Sequence, residues 1–169
     1  MKKSLLTLLI SVFVLASCNS NEQANNSDST DTSVAVSPDT ETESAVSNTV
    51  EITANDQMKF SVQEIRVKAG EPVTLTLKNT GTIAKEAMGH NFVLLQPGTN
   101  IDEFGQTAMS SKENDYIPES LKSSIISYTK LLGPNESDTI TFTVEKGEYP
   151  FICSFPGHYN TMKGIVIAE

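Results

Sequence analysis

A thiol, an imidazole and a thioether fall within ten residues near the C-terminus: Cys153, His158 and Met162, spaced C-x4-H-x3-M. The only other histidine, His90, stands far upstream in Met88-Gly89-His90-Asn91. If all four side chains serve one site, the chain must fold so that a short loop meets a distant segment. The spacing predicts how. Cys153 ends one strand, Met162 begins the next, and His158 lies on the loop between them. His90 begins a different strand at the same end of the fold. Pro156 and Gly157 shape the loop, since Pro fixes φ and Gly permits a turn that other residues resist.

Two imidazoles, a thiolate and a weak thioether suit both oxidation states of copper. Copper(I) prefers the soft sulfur donors and copper(II) accepts imidazole well. An ion so held changes charge with little rearrangement, which lowers the barrier to moving an electron. Singly, each residue has a plainer reading: a small core cysteine, a structural histidine, a methionine filling a gap. Zinc also takes Cys and His, but a structural zinc site usually has four strong donors. A two-copper centre would need two cysteines in the loop, and this loop has one.

The rest of the chain from Val50 reads as strands. Val62, Ile65 and Val67 mark one. Pro72 opens another, with Val73, Leu75 and Leu77 on one face and Thr74, Thr76 and Lys78 on the other. His90 to Leu95 is an apolar run. Ile140, Phe142 and Val144 alternate with threonines, and Tyr149 to Phe155 and Gly164 to Ala168 complete the set. Period-two alternation with turn residues between predicts an all-β sandwich. About 120 residues suffice for one such core. Gln96 to Lys122 is polar and lacks alternation.

The N-terminal part has another texture. Lys2 and Lys3 precede a short apolar run from Leu5 to Leu15, too short to anchor as a span. Residues 1–17 read as an export signal. Leu15-Ala16-Ser17-Cys18 resembles the lipobox of bacterial lipoproteins. That resemblance implies cleavage before Cys18 and a diacylglycerol on its thiol; acyl burial at about 0.8 kcal/mol per methylene makes several chains a durable anchor. Asn19, where Asp would favour the inner membrane, favours the outer one. The alternatives are an ordinary signal peptide with an incidental cysteine, or a Cys18–Cys153 bridge that would consume the thiolate. Residues 18–48 are rich in Ser, Thr, Asn, Asp and Glu and carry no period. Such a segment cannot offset its ordering entropy and reads as a tether, with an r.m.s. reach of about 30 Å for roughly 30 residues. It could let the domain swing between partners or merely hold it clear of the surface. Residues 49–169 form the domain.

Met88-Gly89-His90-Asn91-Phe92-Val93-Leu94 and the Cys153 to Gly164 loop closely resemble azurin, a cupredoxin, as do Asn55-Asp56-Gln57-Met58-Lys59-Phe60 and Thr129-Lys130-Leu131-Leu132-Gly133. The resemblance covers roughly residues 50–169. It implies a Greek-key β-sandwich with a helical flap outside it, placing a short helix within about 101–112. It implies one type 1 copper ion held by His90, Cys153, His158 and Met162, with the Gly89 carbonyl as a weak further contact. Asn91 would brace the loop, and the Phe155 amide would point at the sulfur. Electrons would pass by an exposed edge of His158, rimmed by Met58, Met88, Phe155, Pro156 and Gly157. Tyr159, Asn160 and Thr161 are more polar than the family usually has there. Three departures stand out. The family's disulfide near the domain start is missing, a loss of about 2–5 kcal/mol for other interactions or copper to offset. The buried tryptophan of many members is absent, and Phe92 follows the His90-Asn91 pair instead. A histidine linked to a pH effect is replaced near Asn79, so no such switch is expected.

The formal net charge of −9 argues against a nucleic-acid partner, because phosphate contacts need clustered Lys and Arg. The reading is therefore an electron carrier of the bacterial cell envelope, lipid-anchored and facing the periplasm or on the outer membrane. Its partners would be redox proteins such as c-type cytochromes or terminal reductases. A copper storage or delivery protein is the alternative, but five Met and two His leave too few for a second cluster. No residue set for an enzyme is apparent: there are no spare histidines for a second or open copper site, and no paired carboxylates or Ser/His/Asp set. Replacing Cys18 with Ala should move the protein from the membrane to the soluble fraction; a variant still sedimenting with membranes would end the lipobox reading.

Overall fold

The computed structural model describes residues 45–169. The expected signal at 1–17, Cys18, Asn19 and most of the 18–48 tether lie outside the described residues. Among the described residues, nine strands form two sheets. One holds β1 (Thr49–Asn55), β2 (Lys59–Phe60), β4 (Val73–Asn79) and β7 (Ser137–Phe142), ordered β2-β1-β4-β7. The other holds β3 (Glu64–Val67), β5 (Val93–Leu95), β6 (Ile125–Tyr128), β8 (Gly147–Ile152) and β9 (Lys163–Ala168), ordered β3-β9-β8-β5-β6. The pairs β1/β4 and β3/β9 are parallel, and the remaining pairs antiparallel. The expected all-β sandwich is what the chain forms.

The alternation explains why the sheets face each other. In β4, Val73, Leu75 and Leu77 are fully buried, while Thr74 and Lys78 stay exposed. Apolar residues of both sheets share one core, worth about 25 cal/mol per Å² removed from water. Its centre is aromatic: Phe92 stacks on Phe151 at 4.9 Å, and Phe60 meets the Phe151 ring edge-on at 5.6 Å. Phe92 is fully buried. Gly164 lets β9 pass close to this stack, since a Cβ there would collide with the Phe151 ring and the Gln63 carbonyl.

Several strand ends differ from the sequence expectation, each for a local reason. Val62 lies before β3 rather than in it and is half-buried. Val144 lies beyond β7 but remains core, its carbonyl accepting from Gly70 N–H at 2.9 Å. His90 makes only an isolated bridge with Leu132, and the ladder starts at Val93. Between them Asn91 turns away, and Phe92 N–H donates to Thr129 Oγ1 at 2.9 Å instead of to a strand. Cys153 to Phe155 likewise leave the β8 ladder, although Cys153 N–H still donates to Met162 O at 2.9 Å. The short β2 and the edge strand β6 carry no alternation to reveal them.

Between β4 and β5 a one-turn helix, α1 (Lys85–Met88), leads into His90. The expected flap helix is α2 (Ile101–Met109), inside the anticipated range. Asn100 caps it by accepting from the N–H groups of Asp102 and Glu103, which satisfies two of the helix's free donors. Phe104 and Ala108 bury its inner face. Two 3-10 turns, Lys112–Asn114 and Glu119–Ser124, carry the chain to β6.

Cys153 is free, so no bridge joins the described residues. At the start of the domain, hydrogen bonds hold the chain. Ser47 N–H donates to Arg66 O at 3.0 Å. Asn48 accepts from Thr74 N–H on its carbonyl and from Lys68 N–H on Oδ1, both at 2.8 Å, and donates from Nδ2 to Glu71 at 3.4 Å. Asn48 thus ties β1 to the β3–β4 connection. Replacing Asn48 with Ala should lower stability by about 1–2 kcal/mol in urea unfolding; an unchanged midpoint would show that this tie contributes nothing.

Candidate metal centre

Four segments meet at one end of the sandwich. His90 follows α1, Cys153 follows β8, His158 opens a 3-10 turn (His158–Asn160), and Met162 precedes β9. All four are buried; the most exposed, His158, reaches only 3%. One donor atom each from His90, Cys153 and His158 lies within 4.8 Å of the others. Cys153 Sγ is 3.5 Å from His158 Nδ1, and the two imidazole centroids are 5.0 Å apart.

Both ring nitrogens of His90 are buried without a hydrogen-bond partner. A buried polar atom left so costs about 1–3 kcal/mol. Here the missing partner is supplied by chemistry: an imidazole, a second imidazole and a thiol converge where a soft or borderline metal ion would accept all three. The donor set fits copper.

The electrostatics show the same preparation. Burial pushes the His158 pKa down to about 4, and the neighbouring His90 pushes the same way. Burial also lowers that of His90, opposed by the backbone of Asn55 and the carboxylate of Asp56. Both rings are thus neutral near pH 7 and have lone pairs for a metal. Burial drives the Cys153 thiol up to about 12, against the backbone groups of Asn91 and Phe155, which favour the thiolate. The thiol keeps its proton until a cation takes its place.

Asn91 holds the two halves of the site together. Its Nδ2 donates to Ser154 Oγ at 2.8 Å, and its Oδ1 accepts from Ser154 N–H at 2.8 Å. The residue after His90 is thereby locked to the residue after Cys153. Nδ2 also reaches Asp115 O at 3.3 Å. Asp115 and Tyr116 both take left-handed backbone conformations, with φ of 52° and 62°. These are costly for non-glycine residues, and this pair sits against the site: the Tyr116 ring meets Phe155 at 5.1 Å. Phe155 in turn lies 4.7 Å from the His158 ring.

Gly89 is required by space rather than by φ, for a Cβ would come within 2.7 Å of Lys85 O and 3.0 Å of Leu131. Gly157 is required by conformation, with φ of 81°. Asp56 fastens the β1–β2 turn to the segment before α1. It accepts from Thr82 N–H and Oγ1 and from Ile83 N–H, which hold its carboxyl below the usual range.

The residues expected at the rim differ in exposure. Met58 is exposed, Gly157 is exposed, and Met88 and Pro156 are half-buried. Phe155 is buried and belongs to the loop's support more than to its rim. His158 shows only a sliver to solvent. Ile83, at 40% exposed, joins the apolar surface residues of this end, and the sequence reading missed it. Tyr159, expected among the outward polar residues, is instead buried against α2. A Cβ on Gly105 would collide with its ring. The flap helix therefore buttresses the metal loop through a glycine in its own middle. Ser154, Asp115, Tyr116 and Gly105 were given no role in the site from sequence, and Asp56 entered only within the Asn55 to Phe60 motif. A glycine inside a helical stretch was the one available signal, since it commonly marks a close approach.

Comparison with known proteins agrees with this geometry. The model for copper-binding proteins of the plastocyanin/azurin family matches residues 46–169. Azurin-1 of Alcaligenes xylosoxydans xylosoxydans is 38% identical over 122 residues, covering 69% of this chain and 94% of that protein. Outer membrane protein H.8 of Neisseria meningitidis serogroup B is 37% identical over 120 residues, covering 68% of this chain and 64% of that protein. Among solved structures, dithionite-reduced auracyanin of the photosynthetic bacterium Roseiflexus castenholzii superposes with a TM-score of 0.67 at 34% identity, covering 74% of this chain and 99% of that one. With a buried His-Cys-His donor set at one end of its sandwich, the chain belongs to the plastocyanin/azurin family of blue copper electron-transfer proteins.

Proposed function

We propose that this chain is a one-electron carrier of the bacterial cell envelope, tethered through lipid on Cys18 and exchanging electrons with redox proteins such as c-type cytochromes or a terminal reductase. The observation that carries the reading is the buried trio of His90, Cys153 and His158, with a His90 ring nitrogen left for a metal. Met162 and the Gly89 carbonyl complete the donor set as weaker contacts, and Asn91 and Phe155 hold the sulfur's surroundings. Copper bound there supplies a one-electron Cu(I)/Cu(II) couple. The protein's own part is to keep the donors fixed. The two strand-anchored segments, the Asn91–Ser154 bonds and the α2 buttress all resist movement of the cage.

His158 is the ligand whose loop neighbours, Pro156 and Gly157, reach the surface, which makes it the exit for electrons. Met58, Met88 and Ile83 supply apolar surface at the same end. The envelope location draws support from the relative called an outer membrane protein and from the lipobox-like Leu15-Ala16-Ser17-Cys18. A storage or delivery role would want a further exchangeable cluster, and among the described residues one group of metal-capable His, Cys and acidic side chains is found.

Copper(II) added to the full chain should produce an intense blue colour that a reductant bleaches reversibly. Cys153→Ala should remove it; a blue variant would mean that another thiolate serves. Uptake of several Cu(I) ions without colour would favour storage.

The titration of the metal-free chain has a definite sign. Folded His158 holds its proton only below about pH 4, whereas the unfolded ring does so below its ordinary value of 6.5. Between these values the unfolded state binds more protons, so stability is present above the ordinary histidine range and is lost as pH falls toward 4. Urea unfolding of the metal-free protein should show this loss, and His158→Gln should diminish it. A variant as acid-sensitive as the parent would remove His158 as the cause.

A further inference from the structure

One sizeable cavity has no place in the site described above. It is an open groove of about 640 Å³ between the β2 arm and the start of β9, bordered by Met58, Lys59, Ser61, Gln63, Thr161 and Lys163. One end of it touches the metal loop. Thr161 sits between His158 and Met162, and its Oγ1 donates to Met58 O at 3.4 Å, so the two walls are joined beside the rim.

The charge of this groove runs against that of the chain. The protein carries 21 acidic and 12 basic residues. The groove is lined by two lysines and no carboxylate. Both lysines are exposed, and among the described residues neither has an ion-pair partner, whereas Lys78, Lys122 and Lys130 each have one. The other flank of the metal loop differs. The cavity of about 150 Å³ beside Phe155 is lined by Lys85 and Lys112 but also by Glu86 and Asp115, and favours neither sign. Of these two flanks of the metal loop, the groove is the one whose lining carries cations and no carboxylate, with Asp56 turned away from it onto Thr82 and Ile83. The remaining lining supplies amides and a hydroxyl from Gln57, Gln63 and Ser61, which can donate to a carboxylate.

We propose that this groove is a docking site for acidic side chains of the redox partner, seating a carboxylate-bearing rim between Lys59 and Lys163 so that the partner's redox centre faces His158. The inference rests on the electron-carrier reading and adds the charge of the partner surface to it. An apolar rim alone lets partners slide and rotate. A lateral pair of cations adds steering and register.

The test reads local charge against net charge. In Lys59→Glu/Lys163→Glu, the groove changes sign. In Lys68→Glu/Lys146→Glu, the net charge changes equally at the opposite end of the sandwich, where β3 ends and β8 begins. The reduced, copper-loaded full chain is mixed with hexacyanoferrate(III). One electron leaves the protein's Cu(I) site and hexacyanoferrate(III) becomes hexacyanoferrate(II), with no atom transferred. At low ionic strength the groove variant should react about tenfold more slowly than the parent and the control pair less than about twofold, the differences vanishing in high salt. Equal slowing in both variants would overturn the proposal. A second measurement needs no redox step. Amide NMR of the reduced full chain titrated with a short polyglutamate peptide should show shifts centred on Gln57–Gln63, Thr161 and Lys163, lost in the milder Lys59→Gln/Lys163→Gln variant. Shifts spread evenly over all lysines, or none at all, would also overturn it. A parent chain that never turns blue would instead defeat the electron-carrier reading, independently of the groove.

Discussion

Two pieces of chain far apart in sequence are held at hydrogen-bond length by one amide side chain, and the metal centre depends on that tie. Asn91 follows His90; Ser154 follows Cys153. Paired hydrogen bonds of 2.8 Å between them fix the distance from imidazole to thiol more tightly than packing alone would. Both residues are fully buried, so the bonds form where dielectric screening is weak and a broken one is costly. The regular ladders break off at the same place, at Asn91 and at Ser154. Backbone that would otherwise continue a ladder is diverted so that its side chains can converge.

Around this tie the chain adds supports from unrelated elements. The flap helix leans on Tyr159 through Gly105. Tyr116, in a left-handed conformation, leans on Phe155, which meets His158. Asp56 pins the approach to α1. Each contact restrains a ligand through its neighbour. A site that must exchange an electron gains from such redundancy, because movement of the donors between oxidation states raises the barrier to transfer. The same burial that keeps the donors still also keeps His90 and His158 neutral and Cys153 protonated in the absence of metal. The metal-free form thus holds its imidazoles ready, and only the thiol must lose a proton.

Much of the architecture was legible in the residues. The alternation in β4 and β7 marked the sandwich, the azurin resemblance placed a flap in the polar interval after Gln96, and the spacing of Cys153, His158 and Met162 marked the loop. What escaped was of two kinds. Short or edge elements such as β2 and β6 have no alternation, because only part of each is buried. Supports such as Ser154, Asp115 and Gly105 are ordinary residues whose importance lies in what they touch. Tyr159 is the sharpest case. Its polarity and position on the loop suggest an outward face, yet the ring is covered by a helix that begins more than fifty residues earlier.

Sequence by itself determined which atoms could bind the ion, because donor chemistry belongs to side chains and is unchanged by folding. It also determined the class of fold, because a period of two buries one face of a strand whatever its partners. Only the tertiary structure decided which side of the metal end is cationic, which loop residues face solvent, and which glycine admits a ring. Those depend on distances between segments whose separation along the chain says nothing of their separation in space.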